Sequence, residues 1–363
     1  MALQVGIIGL PNSGKSTIFN AITRAGALVA GYPFCTVEPN IGLVPVPDPR
    51  LERVASAAGC GKVVPADLRV VDIAGLVKGA HRGEGLGNQF LAHIREVDAI
   101  AHAVRCFISP DVAHVTAEID PRCDMAVVNA ELMLADLATV DRRRERIAKA
   151  ARTGDREKAR ELEVLDKLWE GLNRELPVRS QDLTLGEREA ASGLFLLTAK
   201  PVIYVANLGE EELGGESALL DVVRGEAEEE GAELVAFDAK LESEIEELEP
   251  EEVDEFMEAY GIERLGLEEL ISRCYSLLGL INFFTTESRE CRAWALPRGG
   301  TAVTAAGKIH TDMERGFIRA EVVPWDQFLE YGSFAVARDR GAASMQGRDY
   351  QVKDGDVILF RFS

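Results

Sequence analysis

With 363 residues, 47% hydrophobic and 28% charged side chains, the chain has the composition of a folded protein of two or three domains with a full core. No basic segment leads into an apolar one at its start, and no apolar run is long enough to cross a bilayer, so a cytoplasmic, non-membrane protein is expected. The formal net charge of −21 speaks against a uniformly nucleic-acid-binding surface, but the surplus is local: residues 207–270 carry 24 acidic and 3 basic side chains, whereas residues 281–363 carry 11 of each.

The chain opens on a short apolar, β-prone segment, Leu3–Ile8. Gly9–Ser16 follows as GLPNSGKS, a complete G-x-x-x-x-G-K-S loop, and Thr17–Ile22 continues at helical spacing. Strand, glycine-rich turn and helix are the context in which this pattern binds phosphate, because loop and helix N–H groups converge on phosphate oxygens. Lys15 is placed to reach the β- and γ-phosphates and the Ser16 hydroxyl to ligate Mg²⁺. A nucleoside triphosphate is the expected ligand.

Thr36 lies twenty residues past Ser16, in the loop Tyr32–Thr36, where a hydroxyl can complete the Mg²⁺ shell while the γ-phosphate is present. The strand candidate Asp67–Val71 ends at Asp72-Ile73-Ala74-Gly75, which puts a carboxylate where it holds Mg²⁺ through water and a glycine N–H at the γ-phosphate. Gly75–Gly87 has five glycines in thirteen residues and is expected to be a nucleotide-sensitive switch. A water-positioning Gln after the D-x-x-G pattern is replaced by Leu76, which neither donates nor accepts a hydrogen bond. Weak intrinsic turnover follows, with His81, Arg82 and His114 as candidates for the missing role, each also readable as structural or solvent-exposed.

Further strands are expected at Ala99–Phe107, Pro201–Ala206 and Ala232–Phe237. Strands separated by helices argue for a mostly parallel sheet with helices on both faces. Residues 130–175 break that rhythm with leucines at helical or heptad spacing on either side of the turn Arg152–Asp155. A projecting antiparallel helical hairpin is expected there. Arg142–Arg144, Arg146 and Lys149 make one arm basic, either a solvated face or a contact surface for RNA or protein. After Val202–Val205, Asn207-Leu208-Gly209-Glu210 stands where GTPases read guanine with N-K-x-D. Lys is replaced by Leu208 and Asp by Glu210. An Asp carboxylate accepts both the N1–H and N2–H₂ donors of guanine, whereas adenine offers an acceptor at N1 and a donor at N6 and loses that bidentate match. At this altered segment adenine is expected over guanine. Phe237–Lys240 occupies the place of S-A-K, again altered.

From about residue 279 short strands are expected at Ile281–Thr285, Cys291–Leu296, Phe317–Val323 and Val357–Phe362, with a helix at Trp325–Tyr331 and a turn at Lys353–Asp356. His310 reads as a buried or capping residue in preference to an RNA contact. Cysteines 35, 60, 106, 123, 274 and 291 form no C-x-x-C pair, so neither zinc nor a disulfide framework is expected.

GLPNSGKS, YPFCTVEPN, DIAGLVKGAHRGEGLGNQF and the NLGE segment together resemble the YchF group, the Obg-like ATPases, within the translation-factor class of P-loop GTPases. AAGKIHTDMERGFIRAE and KDGDVILFRF resemble that group's TGS domain, so the resemblance spans essentially the whole chain. It implies a G domain at residues 1–129 and 199–278, a helical coiled-coil insertion at 130–198 and a TGS domain of β-grasp type at 279–363. It also implies an ATPase associated with ribosomes, through the TGS domain and the helical arm, and a monomer is expected. By the same resemblance Asn12, Ser13, Gly14, Lys15, Ser16 and Thr17 contact phosphates, Ser16 and Thr36 the Mg²⁺, and Asn207, Leu208 and Glu210 the adenine. The group usually has Val where this chain has Ser13. Some relatives use K⁺, here expected near Asn12, in place of an arginine finger. A GTPase with an unorthodox base reader, and a nucleotide-sensing binding module that hydrolyses only to reset, are the alternatives; a metabolite kinase fits the Thr36 and Asp72–Gly75 pair less well.

Overall fold

The computed structural model describes residues 3–30, 40–73, 86–109, 119–153, 155–213, 217–245, 248, 252–253, 255–257, 264–287 and 289–363. Two compact units divide the chain: residues 1–42 with 69–270, and residues 43–68 with 271–363. The second unit resumes at Ile271, whereas the sequence places the change of character near residue 279. The excursion 43–68 does not follow the expected division, because it clusters with the C-terminal unit and not with the nucleotide domain.

Around the first sheet β1 (Gln4–Ile8), α1 (Lys15–Ala30), β2 (Ile41–Pro45), β4 (Asp67–Asp72), α3 (Leu86–Glu96), β5 (Ala99–Cys106), β6 (Val202–Leu208), α7 (Ala218–Glu230), β7 (Glu233–Phe237) and α8 (Ala239–Ile245) follow one another in chain order. The strand order is β2-β4-β1-β5-β6-β7, and β4, β1, β5, β6 and β7 are parallel neighbours. All eight residues of β5 and all seven of β6 are buried, as central strands covered on both faces must be. The carboxyl ends of β1, β4, β5 and β6 open on one side, where an open parallel sheet binds its ligands.

The helical insertion is built from α4 (Pro121–Arg152) and α5 (Arg156–Asn173). Asp120 caps α4 by accepting the Cys123 N–H at 3.1 Å, with Pro121 at the first helical position. The expected boundary at residue 130 thus falls inside one continuous helix. Met125, Val128, Leu132 and Ala135 pack into the sheet core, while Val140 and Ile147 pack with Leu165, Leu168 and Leu172 of the hairpin. One helix serves two cores, so no break in local pattern marks the junction. Buried Asp136 ties the arm to the short 3-10 turn Leu197–Ala199 that leads into β6, accepting from Leu197 N and Thr198 N at 2.7 and 2.8 Å. A short helix, α6 (Leu185–Ser192), lies between α5 and β6, and Thr184 and Glu187 form a capping box at its start.

The C-terminal unit is a six-stranded mixed sheet. Its strands are β3 (Lys62–Val64), β8 (Leu280–Glu287), β9 (Glu290–Pro297), β10 (Phe317–Pro324), β11 (Ser344–Gln346) and β12 (Asp356–Phe362). The order is β11-β10-β12-β8-β9-β3. Its four longest strands and the helix Trp325–Tyr331 agree with the sequence to within two residues at each end. The helix Ala302–Ile309 buries Ala302, Ala305 and Ala306 against Phe283, Phe317 and Phe360. His310 accepts the Asp312 N–H on Nδ1 at 3.1 Å and so caps the next short helix, the capping role expected of it. The helix α2 (Pro49–Ala58) and β3 belong here: β3 pairs parallel with β9, and Arg50 bonds both Asp48 and Asp354.

Candidate nucleotide-binding site

The loop between β1 and α1 turns on three residues of positive φ: Gly9 (+153°), Asn12 (+64°) and Gly14 (+91°). A Cβ on Gly14 would lie 2.0 Å from the Asn207 amide nitrogen, so only glycine permits this approach. Asn207 sits at the carboxyl end of β6 and is 5% exposed. Its Nδ2 donates to the Ser13 carbonyl at 3.2 Å and its Oδ1 accepts the Ala239 N–H at 3.2 Å. The sequence assigns Asn207 to the base; here its side chain is first a brace joining the phosphate loop to the start of α8.

Lys15 is 7% exposed, and its ammonium donates to the Leu10 carbonyl of its own loop at 2.7 Å. Burial pulls its pKa down to about 8, against the opposing charge of Asp72. Ser16 Oγ stands 3.5 Å from Asp72 Oδ2, bringing a hydroxyl and a carboxylate together at the first turn of α1. This hard oxygen pair beside a buried ammonium suits Mg²⁺ carried with phosphate. Among the described residues no cluster of three or more His, Cys, Asp or Glu offers an all-protein metal cage. Ser13 Oγ is buried and has no hydrogen-bond partner among the described residues.

A cavity of about 660 Å³ runs from Asn12, Gly14, Lys15, Ser16 and Thr17 to Asn207, Leu208, Gly209 and Glu210. The structure therefore brings the phosphate loop and the expected base segment to one space. Thr36, Gly75, His81, Arg82 and His114 lie outside the described residues, as does most of the expected switch; Leu86 and Gly87 begin α3.

The same cavity is also lined by residues to which the sequence assigned no site role: Phe107 and Ser109 after β5, and Asp238, Lys240, Leu241 and Glu244. Asp238 accepts the Lys240 and Leu241 N–H groups at 2.8 and 3.0 Å and caps α8. The altered S-A-K position was the available signal for this wall, since chain order alone sets it after β7. No local pattern pointed to Phe107, whose ring is covered by Arg105 at 4.5 Å.

A family model described as "50S ribosome-binding GTPase" matches residues 4–167, and the YchF-GTPase_C model, described as "Protein of unknown function (DUF933)", matches residues 280–363. The chain is 48% identical to the "Ribosome-binding ATPase YchF" of Bacillus subtilis and 47% identical to that of Escherichia coli O157:H7, each over 100% of both chains. It is similar to the structure of the Schizosaccharomyces pombe YchF GTPase, at a TM-score of 0.89 and 34% identity, covering 99% of this chain and 97% of that one. Matches of this identity along the full length, on a fold that places Lys15, Ser16 and Asp72 together, mean that the chain belongs to the YchF family.

Proposed function

We propose that this protein is a cytoplasmic, Mg²⁺-dependent ATPase that works with the ribosome as a slow, nucleotide-controlled switch. The observation that carries the reading is the single cavity joining the phosphate loop to Leu208 and Glu210. A nucleotide with its phosphates on residues Asn12–Thr17 reaches the segment where the Lys and Asp of a guanine reader are replaced. Leu208 supplies an apolar wall there. Glu210 stands where an Asp would accept from guanine, and adenine lacks that N1–H and N2–H₂ pair.

In this reading Lys15 neutralises charge on the β- and γ-phosphates, and Ser16, Thr36 and, through water, Asp72 hold the Mg²⁺. Gly75 senses the γ-phosphate. The metal spreads charge on the phosphoryl oxygens when bound, while the loop N–H groups and Lys15 orient the chain of phosphates. With Leu76 in place of a water-positioning group, turnover waits on a partner, on K⁺ near Asn12, or on His81, Arg82 or His114. Binding to the ribosome, named for the bacterial relatives, falls in this reading to the C-terminal unit and the helical arm of a monomer.

Base choice is tested by the double variant Leu208→Lys, Glu210→Asp, which restores the guanine-reading side chains. Hydrolysis should shift from ATP towards GTP by about tenfold or more, a change of ~1.4 kcal/mol in selectivity. Unchanged selectivity in a folded variant would show that this segment does not select the base.

A further inference from the structure

The basic side chains of the helical arm do not act as one face. Arg144 is spent within the hairpin: its Nε donates to Asp166 at 2.8 Å, Asp141 lies at 3.3 Å, and its guanidinium covers the Trp169 ring at 4.8 Å. Arg142 and Arg146 are one helical turn apart, exposed, and no carboxylate pairs with either among the described residues. Both line a pocket of about 400 Å³ between α4, α5 and the end of α6, together with Arg143, Gly193 and Leu194. Its one carboxylate, Glu161, is shared by Arg143 and Lys158. The pocket therefore keeps a surplus of positive charge on a strongly acidic protein.

The residue after Leu194 is Phe195, which is 67% exposed and held at φ +50°, a conformation that a bulky L-residue rarely adopts. The strain is fixed from both sides. Leu194 packs on the hairpin core, Leu196 is buried, and the Leu197 and Thr198 N–H groups are held by Asp136. An aromatic ring is thus displayed to solvent on the residue that directly follows Gly193 and Leu194 of the arginine pocket. Guanidinium groups for phosphate beside an exposed ring for an unstacked base are the pairing that recognises single-stranded RNA.

We propose that the arm carries an RNA site, in which Arg142, Arg143 and Arg146 take backbone phosphate and Phe195 stacks on an unpaired base. The proposal deepens the ribosome reading above and rests on it for the source of the RNA, a single-stranded loop or bulge of ribosomal RNA. The local positive charge acts within about 8 Å at physiological salt, so the acidic surplus elsewhere does not cancel it at contact.

The test uses the full chain in two assays: sedimentation with purified ribosomes, and titration of a fluorescent single-stranded RNA of mixed sequence with a duplex of equal length as control. Two variants are compared, Arg142→Glu with Arg146→Glu, and Phe195→Gly, which relaxes the positive φ and so preserves the fold. The arginine pair should weaken single-strand binding at least tenfold and lower the slope of log K against log salt by about 1.4, for two phosphate contacts at about 0.7 each. Phe195→Gly should weaken it about tenfold at unchanged slope, since stacking releases no counterions. Both should lower ribosome sedimentation and leave ribosome-free ATP hydrolysis unchanged. Wild-type affinity for RNA and ribosomes in both variants would overturn the site while leaving the ribosome reading standing. Loss of ribosome binding in variants of a protein that never bound the oligonucleotide would make this a protein contact and overturn the RNA assignment. RNA binding through these residues without wild-type sedimentation on ribosomes would support the site and remove the ribosome reading.

Discussion

The Asn207 side-chain amide donates to the Ser13 carbonyl at 3.2 Å, coupling the end of β6 to the phosphate loop. Gly14 makes room for that contact, and Ala239 closes it from the other side. The geometry of the loop Gly9–Ser16 is therefore set partly by Asn207, which opens the segment to which the proposal assigns the base. Asn207→Ala removes a buried donor and acceptor at once, leaving the Ser13 carbonyl and the Ala239 N–H without partners. The expected cost is about 1–3 kcal/mol of stability, with nucleotide affinity lowered about tenfold or more. Thermal unfolding and nucleotide titration of the same variant check both.

Lys15 gives the nucleotide affinity a pH dependence of definite sign. Its pKa is pulled down to about 8 by burial in the free site, and the charge of bound phosphates raises it again. Protonation and nucleotide binding therefore favour each other, and affinity falls as pH rises through 8. Between pH 7 and 9 the dissociation constant should weaken by about tenfold, with proton uptake on binding at the higher pH. Calorimetry in buffers of different ionisation enthalpy reads that uptake directly. Lys15→Arg, which stays charged, should flatten the dependence.

Glu242 makes a second pH dependence, in stability. It is 3% exposed on α8 and accepts the Gly266 and Leu267 N–H groups at 2.6 and 2.8 Å. Burial raises its pKa to about 7, outweighing those two hydrogen bonds. The folded chain then holds a proton that the unfolded chain releases near its ordinary value of 4.5. The favourable contribution is complete below the unfolded value and is lost as pH rises towards 7, an effect on the order of 3 kcal/mol. Glu242→Gln should flatten the unfolding free energy between pH 5 and 7.5 in denaturant titrations.

The strand, loop and helix that carry the proposed phosphate site were legible because their signals are local. The eight-residue loop, the apolar strand before it and the helix after it carry their conformation in adjacent residues, as do Asp72 after its strand and the turn Lys353–Asp356. Residues 43–68 were not legible in the same way. Their place in the C-terminal unit rests on β3 pairing with β9, for which Lys62 finds Glu290 across 228 positions of sequence. No periodicity announces such a partner. The start of the arm was hidden for a different reason: α4 keeps one helical pattern while its buried face passes from the sheet core to the hairpin core. The basic stretch of α4 does not act as one face: Arg144 pairs with Asp166 and covers the Trp169 ring on the opposite helix, while Arg142 and Arg146 stay exposed.

Preference for adenine over guanine is the central claim, and the direct measurement is calorimetric titration of the nucleotide-free chain with non-hydrolysable ATP and GTP analogues in the presence of Mg²⁺. The cavity walled by Leu208 and Glu210 predicts ATP-analogue binding tighter by about tenfold or more, that is ~1.4 kcal/mol. Equal or tighter binding of the GTP analogue would contradict it and leave a guanine-nucleotide switch with an unorthodox base reader.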